Sequence, residues 1–185
     1  MSDATSSGQS GDAPADPGPP ADPDAPTDPG PPAALAGVEV PYRVVRTAAA
    51  GSAEESAAMQ GIELGSLLRT IVVRRGADDY VFVLVPAGRR FDWPKLRAHL
   101  GVSRLSLPDA DEALAVTGYV RYTITPFGAS RAWPVVADAS IMDRTVVAIG
   151  AGVRGVSAHF APADLVRALR AEVADVTTSE VATSG

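Results

Sequence analysis

Two runs rich in β-branched and aromatic residues, LLRTIVVRR (67–75) and DYVFVLVPA (79–87), are separated by only Gly76, Ala77 and Asp78. Sequence neighbours joined by so short a link pair as an antiparallel hairpin, because a parallel crossover needs a dozen residues or more. That hairpin commits the chain to a sheet, and the remaining patterns must pack against it. SAEESAAMQG (52–61) opens with Ser52, has Glu55 three residues later and can stop at Gly61, the marks of a short capped helix. FDWPKLRAHLG (91–101) has Asp92 as N-cap, Pro94 in the first turn and Gly101 after the last, which predicts a second helix. SRLSL (103–107) reads as a strand, followed by a helix from Pro108 through Val116 that stops before Gly118. WPVVAD (133–138) and TVVAIG (145–150) read as further strands. In PADLVRALRAEVADV (162–176), Leu165, Val166, Leu169 and Val173 share one helical face. Mixed strands and helices with hairpin-length links predict an α+β fold: a single compact domain whose mixed, largely antiparallel sheet is flanked by helices.

The domain does not begin at residue 1. Residues 1–35 hold nine prolines and an imperfect repeat, DPGPPA at 16–21 and again at 28–33, with almost nothing apolar to bury. Such a segment is expected to be disordered, serving as a solubilising spacer or as a docking peptide for a proline-reading module. The domain is expected over 36–176, and 177–185 as a disordered C-terminal tail. The net charge of −6 belongs to the N-terminal segment, which has six aspartates and no basic residue; beyond it, sixteen acidic residues balance sixteen basic ones. Overall acidity therefore does not argue against an anionic partner, because the positions of the arginines decide that. The N-terminus lacks a basic stretch followed by an apolar run, and no apolar stretch reaches the ~18 residues of a membrane helix, so a cytoplasmic protein with no membrane partner is expected. The absence of cysteine removes thiol catalysis, disulfides and Cys-ligated zinc.

The sequence contains no phosphate-binding G-x-x-x-x-G-K-[ST] loop, no G-x-S-x-G elbow and no H-E-x-x-H pair. His99 and His159 lie far apart without ligand-like spacing and are expected in surface or core roles. Asp78–Asp79 and Asp111–Glu112 fall in turn and helix-start contexts, where acids favour the backbone. No metal site and no cofactor is expected. What remains is TGYVRYTITPFGAS (117–130), the loop GAGVRG (150–155) and Arg69. Thr125, Pro126 and Gly128 hold a turn that is either purely structural or presents N–H groups to an oxygen developing negative charge. GAGVRG departs from a dinucleotide fingerprint because a strand follows it where a helix is required. Arg69, among apolar neighbours, is either an edge device or faces a cleft.

Taken in order, LLRTIVV, VFVLVPAGRRFDWPKLRAHLGVSRLSLPDADEA, TGYVRYTITPFG, PVVADASI, IGAGVRG and FAPADLVRAL resemble the YbaK/prolyl-tRNA synthetase-associated family over about residues 36–176. The resemblance implies a mixed α/β domain that hydrolyses the ester of mischarged aminoacyl-tRNA, either free-standing or as an insertion in a synthetase. It places YTITP (122–126) on the family's G-x-x-x-P loop, which lines the aminoacyl pocket with backbone groups. Water, with or without help from the terminal ribose hydroxyl, would attack an ester carbonyl held against backbone donors, with no covalent intermediate. Arg69 would take the catalytic place of the family's lysine, anchoring the 3′-terminal adenosine or its phosphate. Thr125, Pro126 and Phe127 would form the pocket wall, and Asp138 and Gly152 its floor, with Thr70, Gly118, Tyr122, Gly128 and Gly150 completing the substrate site. Tyr122 stands where the family has the first glycine of its loop, and Gly150 where it has a serine. The implied partners are tRNA, through its 3′-aminoacyl end, and an aminoacyl-tRNA synthetase, but not DNA. The alternative is a non-catalytic module that binds tRNA or an aminoacyl-like small ligand on the same fold.

Overall fold

The computed structural model describes residues 32–180; most of the expected N-terminal tail and the last five residues of the chain lie outside them. The expected hairpin is its centre. Strands β2 (Leu68–Gly76) and β3 (Asp79–Pro86) pair antiparallel from Leu68↔Pro86 to Arg74↔Tyr80, with a register shift between Arg74 and Gly76 beside the turn. The other edge of β3 pairs parallel with β5 (Val135–Asp138), which in turn pairs parallel with β8 (Glu172–Ala174), giving the order β2-β3-β5-β8. A second sheet runs in the order β1 (Arg43–Arg46), β7 (Val156–Phe160), β6 (Val147–Gly150), all antiparallel. A parallel bridge between Leu67 and Ala148 joins the two sheets. A short ribbon pairs β4 (Arg89–Phe91) with β9 (Thr177–Ser179).

Successive side chains of a strand point to opposite faces, and β3 uses both. Phe82 and Leu84 join the larger core with Leu35, Phe127, Ile149, Phe160 and Leu165. Val81, Val83 and Val85 join a second core with Val73, Leu96, Val136 and Val176. The first three helices form close to where their local signals put them. α1 (Ala53–Gln60) is capped by Ser52, whose hydroxyl accepts from the Glu55 amide, while the Glu55 carboxylate reaches back to the Gly51 amide at 2.6 Å. Asp92 caps α2 (Trp93–Leu100) and Asp109 caps α3 (Ala110–Thr117) in the same way. Gly61, Gly101 and Gly118 end the three helices in the left-handed region that glycine enters without strain. Among the described residues no helix is long and apolar enough to cross a membrane.

Three expectations are corrected. SRLSL is no strand: its pairing is confined to Ser106, which exchanges backbone hydrogen bonds with Arg74, while Leu107 is exposed. The helix expected over 162–176 ends early. α4 spans Pro162–Leu169, Arg170 adopts φ 48°, and the chain turns into β8 along the free edge of β5. Helical spacing did put Val173 on the apolar face, but an unpaired buried strand edge needs backbone partners more than that face needs one more valine. Ordered structure also continues past residue 176, because Thr177 is buried and β9 pairs with β4 inside the segment expected as a tail. At the other end it begins before 36, with Leu35 in the core.

The pairing of β9 carries a test. A chain ended at Val176 should melt at least ~5 °C below one ended at Glu180, as loss of the β4–β9 ladder and the buried Thr177 removes on the order of 2 kcal/mol. Equal melting temperatures by circular dichroism would show that β9 contributes nothing to stability.

Candidate functional site

Strand β2 places Arg69 and Thr70 on opposite faces. Arg69 shares a face with Ile71 and Val73, which belong to the second core. Its guanidinium donates to the carbonyl of Arg89 and lies 3.9 Å from Glu180, and the side chain keeps 44% of its surface exposed. Thr70 shares the other face with Leu68 and Val72, within the larger core that also holds Phe127 and Ile149. The Thr70 hydroxyl is buried with no hydrogen-bond partner, the single such side-chain atom among the described residues. A buried hydroxyl left unpaired costs about 1–3 kcal/mol, so the position is a weakness of the fold unless something else fills it.

The loop after α3 is braced by its own groups. The amide and hydroxyl of Thr123 both donate to the Val120 carbonyl, at 3.1 and 2.9 Å. The Phe127 amide donates to Thr125 Oγ at 3.4 Å, and the Tyr119 hydroxyl donates to the Phe127 carbonyl at 2.7 Å. Thr125 is fully buried, and the Phe127 ring stacks on Phe160 with centroids 5.5 Å apart. Gly118 turns the chain out of α3 against Ser130, whose amide donates to the Thr117 carbonyl.

The two glycine loops meet around Tyr119. A Cβ on Gly128 would fall 2.9 Å from Ala34 Cα and 3.0 Å from the Tyr119 hydroxyl; one on Gly152 would fall 2.9 Å from Tyr119 Cε1. Both residues also have positive φ, so a side chain at either position is excluded twice over. Gly150 is different. It ends β6 two residues after the Leu67–Ala148 bridge, as Arg69 lies two residues after Leu67 in β2, and the Ile124 carbonyl passes 3.9 Å from where its Cβ would stand. The YTITP loop thus passes the end of β6 at Gly150.

Asp138 is fully committed. Its carboxylate accepts from the Ser140 hydroxyl at 2.5 Å, the Ser140 amide at 3.1 Å and the Val176 amide at 3.1 Å, with Arg89 Nε at 3.6 Å. Arg89 donates in turn to Thr177 Oγ at 2.6 Å. Asp138 therefore fastens β5 to the β8–β9 connection, on the same face as Arg69 and away from Thr70. Burial raises its pKa, but hydrogen bonds from Ser140, Thr177 and the Val176 amide outweigh this and hold it below the ordinary carboxylate value.

The expected residues therefore fall into two groups: Thr70, Thr125, Phe127, Gly128 and Gly152 around the larger core, and Arg69 with Asp138 on the opposite face, linked through Arg89. Pro126, Phe127 and Gly128 also line a cavity of about 680 Å³ whose far wall is residues 34–40 and 167–170; neither Arg69 nor Thr70 reaches it. Tyr119, Arg89 and Ala34 were not anticipated, and the bare glycines at 128 and 152 were the signal that some bulky neighbour stood against them. His159 is a core histidine, with Nε2 2.9 Å from Gln60 Oε1; burial and then the nearby Arg43 push its pKa down. Among the described residues, no group of three or more His, Asp or Glu side chains could hold a metal ion.

A mixed sheet with paired glycine loops at one strand edge defines a class, and the comparison with known families identifies it. Residues 47–168 match the model of the aminoacyl-tRNA editing domain, and the chain belongs to that family. It is 26% identical over 129 residues, 70% of this chain and 79% of the relative, to an Enterococcus faecalis protein named as a candidate Cys-tRNA(Pro)/Cys-tRNA(Cys) deacylase. It is 31% identical over 103 residues to the proline–tRNA ligase of Thermosipho melanesiensis, a span of 56% of this chain but only 18% of that enzyme. The fold matches a crystal structure described as a candidate trans-editing enzyme for prolyl-tRNA synthetase, with a TM-score of 0.69 and 24% identity, over 75% of this chain and 87% of the other.

The pKa of Asp138 fixes a direction. A carboxyl whose folded pKa lies below its unfolded value of about 4 adds stability above that pH and loses it as pH falls through the folded value. Asp138→Asn should cost roughly 1.5–3 kcal/mol at neutral pH, and the gap to the native chain should narrow below about pH 4. Urea midpoints across that range measure it; a gap independent of pH would show that the charge of Asp138 does not matter.

Proposed function

We propose that the chain is a trans-acting aminoacyl-tRNA deacylase that hydrolyses the ester joining a mischarged amino acid to the 3′ end of tRNA. The observation that carries this reading is the unpartnered Thr70 hydroxyl, buried on the face of β2 whose neighbours Leu68 and Val72 share a core with Phe127, in a chain that belongs to the editing family. In this reading the Thr70 hydroxyl meets a polar group of the aminoacyl end. Arg69, exposed near the start of β2, holds a phosphate or ribose oxygen of the terminal nucleotide. Its exposed contact with Glu180 is weak enough to be exchanged for a phosphate. The Thr125 and Gly128 amides polarise the ester carbonyl, since Pro126 has no N–H and the Phe127 amide donates to Thr125 Oγ. Water attacks the carbonyl carbon, the bond to the ribose oxygen breaks, and the water proton passes to that oxygen, directly or through the neighbouring ribose hydroxyl. The products are free amino acid and uncharged tRNA. Family membership and the two relatives named for tRNA chemistry support the substrate class, and the prolyl-tRNA relatives favour a synthetase of that kind as partner.

A second reading, a binding module without catalysis, is favoured by one observation: Arg69 is tied to the Arg89 carbonyl on the face of β2 opposite Thr70.

Three variants assayed on a panel of mischarged tRNAs, with melts alongside, separate the readings. Thr70→Val removes an unpaired hydroxyl and should leave the melting temperature equal or higher while lowering kcat/KM by about tenfold or more. Arg69→Ala should cost ~10²-fold to 10³-fold in turnover at nearly unchanged melting temperature, and Arg69→Lys should keep most of it. Binding of charged tRNA with no hydrolysis by the native chain would establish the binding module. Full activity in Thr70→Val would remove that residue from the site.

A further inference from the structure

The most exposed large apolar residue of the described chain sits on the candidate loop. Tyr122 is 76% exposed and holds φ 70°, a backbone conformation that tyrosine rarely adopts. Two arginines from separate loops lie against its ring: Arg121 Cζ is 5.1 Å and Arg154 Cζ 5.8 Å from the centroid. Among the described residues, neither guanidinium is ion-paired with a carboxylate, so both charges are available to an anion. Val120 and Val153 are exposed beside them, on the same two loops. The patch is held in place relative to the candidate site. Ile124, two residues after Tyr122, runs past Gly150, and Gly152, two residues before Arg154, is pressed against Tyr119.

We infer that Tyr122, with Arg121 and Arg154, is a stacking platform for an unpaired nucleotide of the RNA strand whose 3′ end enters the neighbouring loop; this rests on the function proposed above. An open aromatic face accepts any unstacked base, whereas the bases of a duplex are stacked and closed to it. The two guanidiniums suit the phosphates on either side of that base, and each can also stack on a base itself. A glycine at position 122 would adopt φ 70° without strain but would offer no ring, so the tyrosine adds a contact that the turn does not need for its own geometry. The platform increases affinity for the strand and does not take part in bond breaking.

The test uses the full chain and a fluorescently labelled, uncharged single-stranded RNA of about eight nucleotides ending in CCA, a length suited to one single-strand site. Anisotropy titrations compare the native chain with Tyr122→Phe, Tyr122→Gly and the double change Arg121→Ala, Arg154→Ala, with melts to check folding. Tyr122→Phe should bind as the native chain does. Tyr122→Gly should melt normally and bind roughly 5-fold to 150-fold more weakly, the range expected for loss of one stacked base. The double arginine variant should bind more weakly and flatten the salt dependence by about 1.4 in the slope of log K against log salt, for two lost phosphate contacts. Binding by Tyr122→Gly within twofold of native, or equal competition by the same RNA annealed to its complement, would overturn the inference. If the native chain deacylates tRNA while Tyr122→Gly binds normally, the platform is wrong and the proposed function stands. If Tyr122-dependent RNA binding persists but no charged tRNA is hydrolysed, the platform stands and the deacylase reading falls.

Discussion

Strand β3 is hydrogen-bonded along both edges and buried on both faces, and every other element takes its place from that constraint. One edge accepts β2 through a tight turn; the other must find backbone partners elsewhere, and β5 supplies them in parallel. Its side chains then sort the rest of the apolar sequence by parity. Odd positions call for α2 and Val176, and even positions for β6, β7 and α4. Closing the sheet moves the demand outward to β5, whose free edge draws residues 172–174 out of the helix their spacing suggests. Asp138 completes the closure, holding the Val176 amide and, with Arg89, the start of β9.

The same parity divides the candidate site. Adjacent in sequence, Arg69 and Thr70 leave β2 on opposite sides, so one faces solvent at the edge while the hydroxyl of the other lies buried. For chemistry on a large substrate this separation has a use. On the function proposed above, the charged group that would grip a nucleic-acid end stays hydrated, while the group that would meet the acyl end sits where water is scarce and a single hydrogen bond counts for more. The loops that join the two are assembled around Tyr119, with Gly128 and Gly152 bare because the ring and Ala34 occupy the space a Cβ would need.

The sequence by itself determined the hairpin, three capped helices and the loop between Gly118 and Gly128, since each depends on residues within a few positions of one another. Ser52, Asp92 and Asp109 accept from an amide three residues on, and a glycine stops each helix wherever that helix lies in space. Arg69, Thr125 and the glycine loops could be picked out, but not the faces they occupy. Only the tertiary structure decided that residues 172–174 are a strand, that 177–179 pair with 89–91, that Asp138 is a fastener, and that Tyr122 stands exposed with two arginines close to its ring. These outcomes depend on which backbone edge or side chain arrives from far along the chain, and the free energy of satisfying a buried hydrogen-bonding group exceeds the few tenths of a kcal/mol by which local propensity prefers one conformation to another.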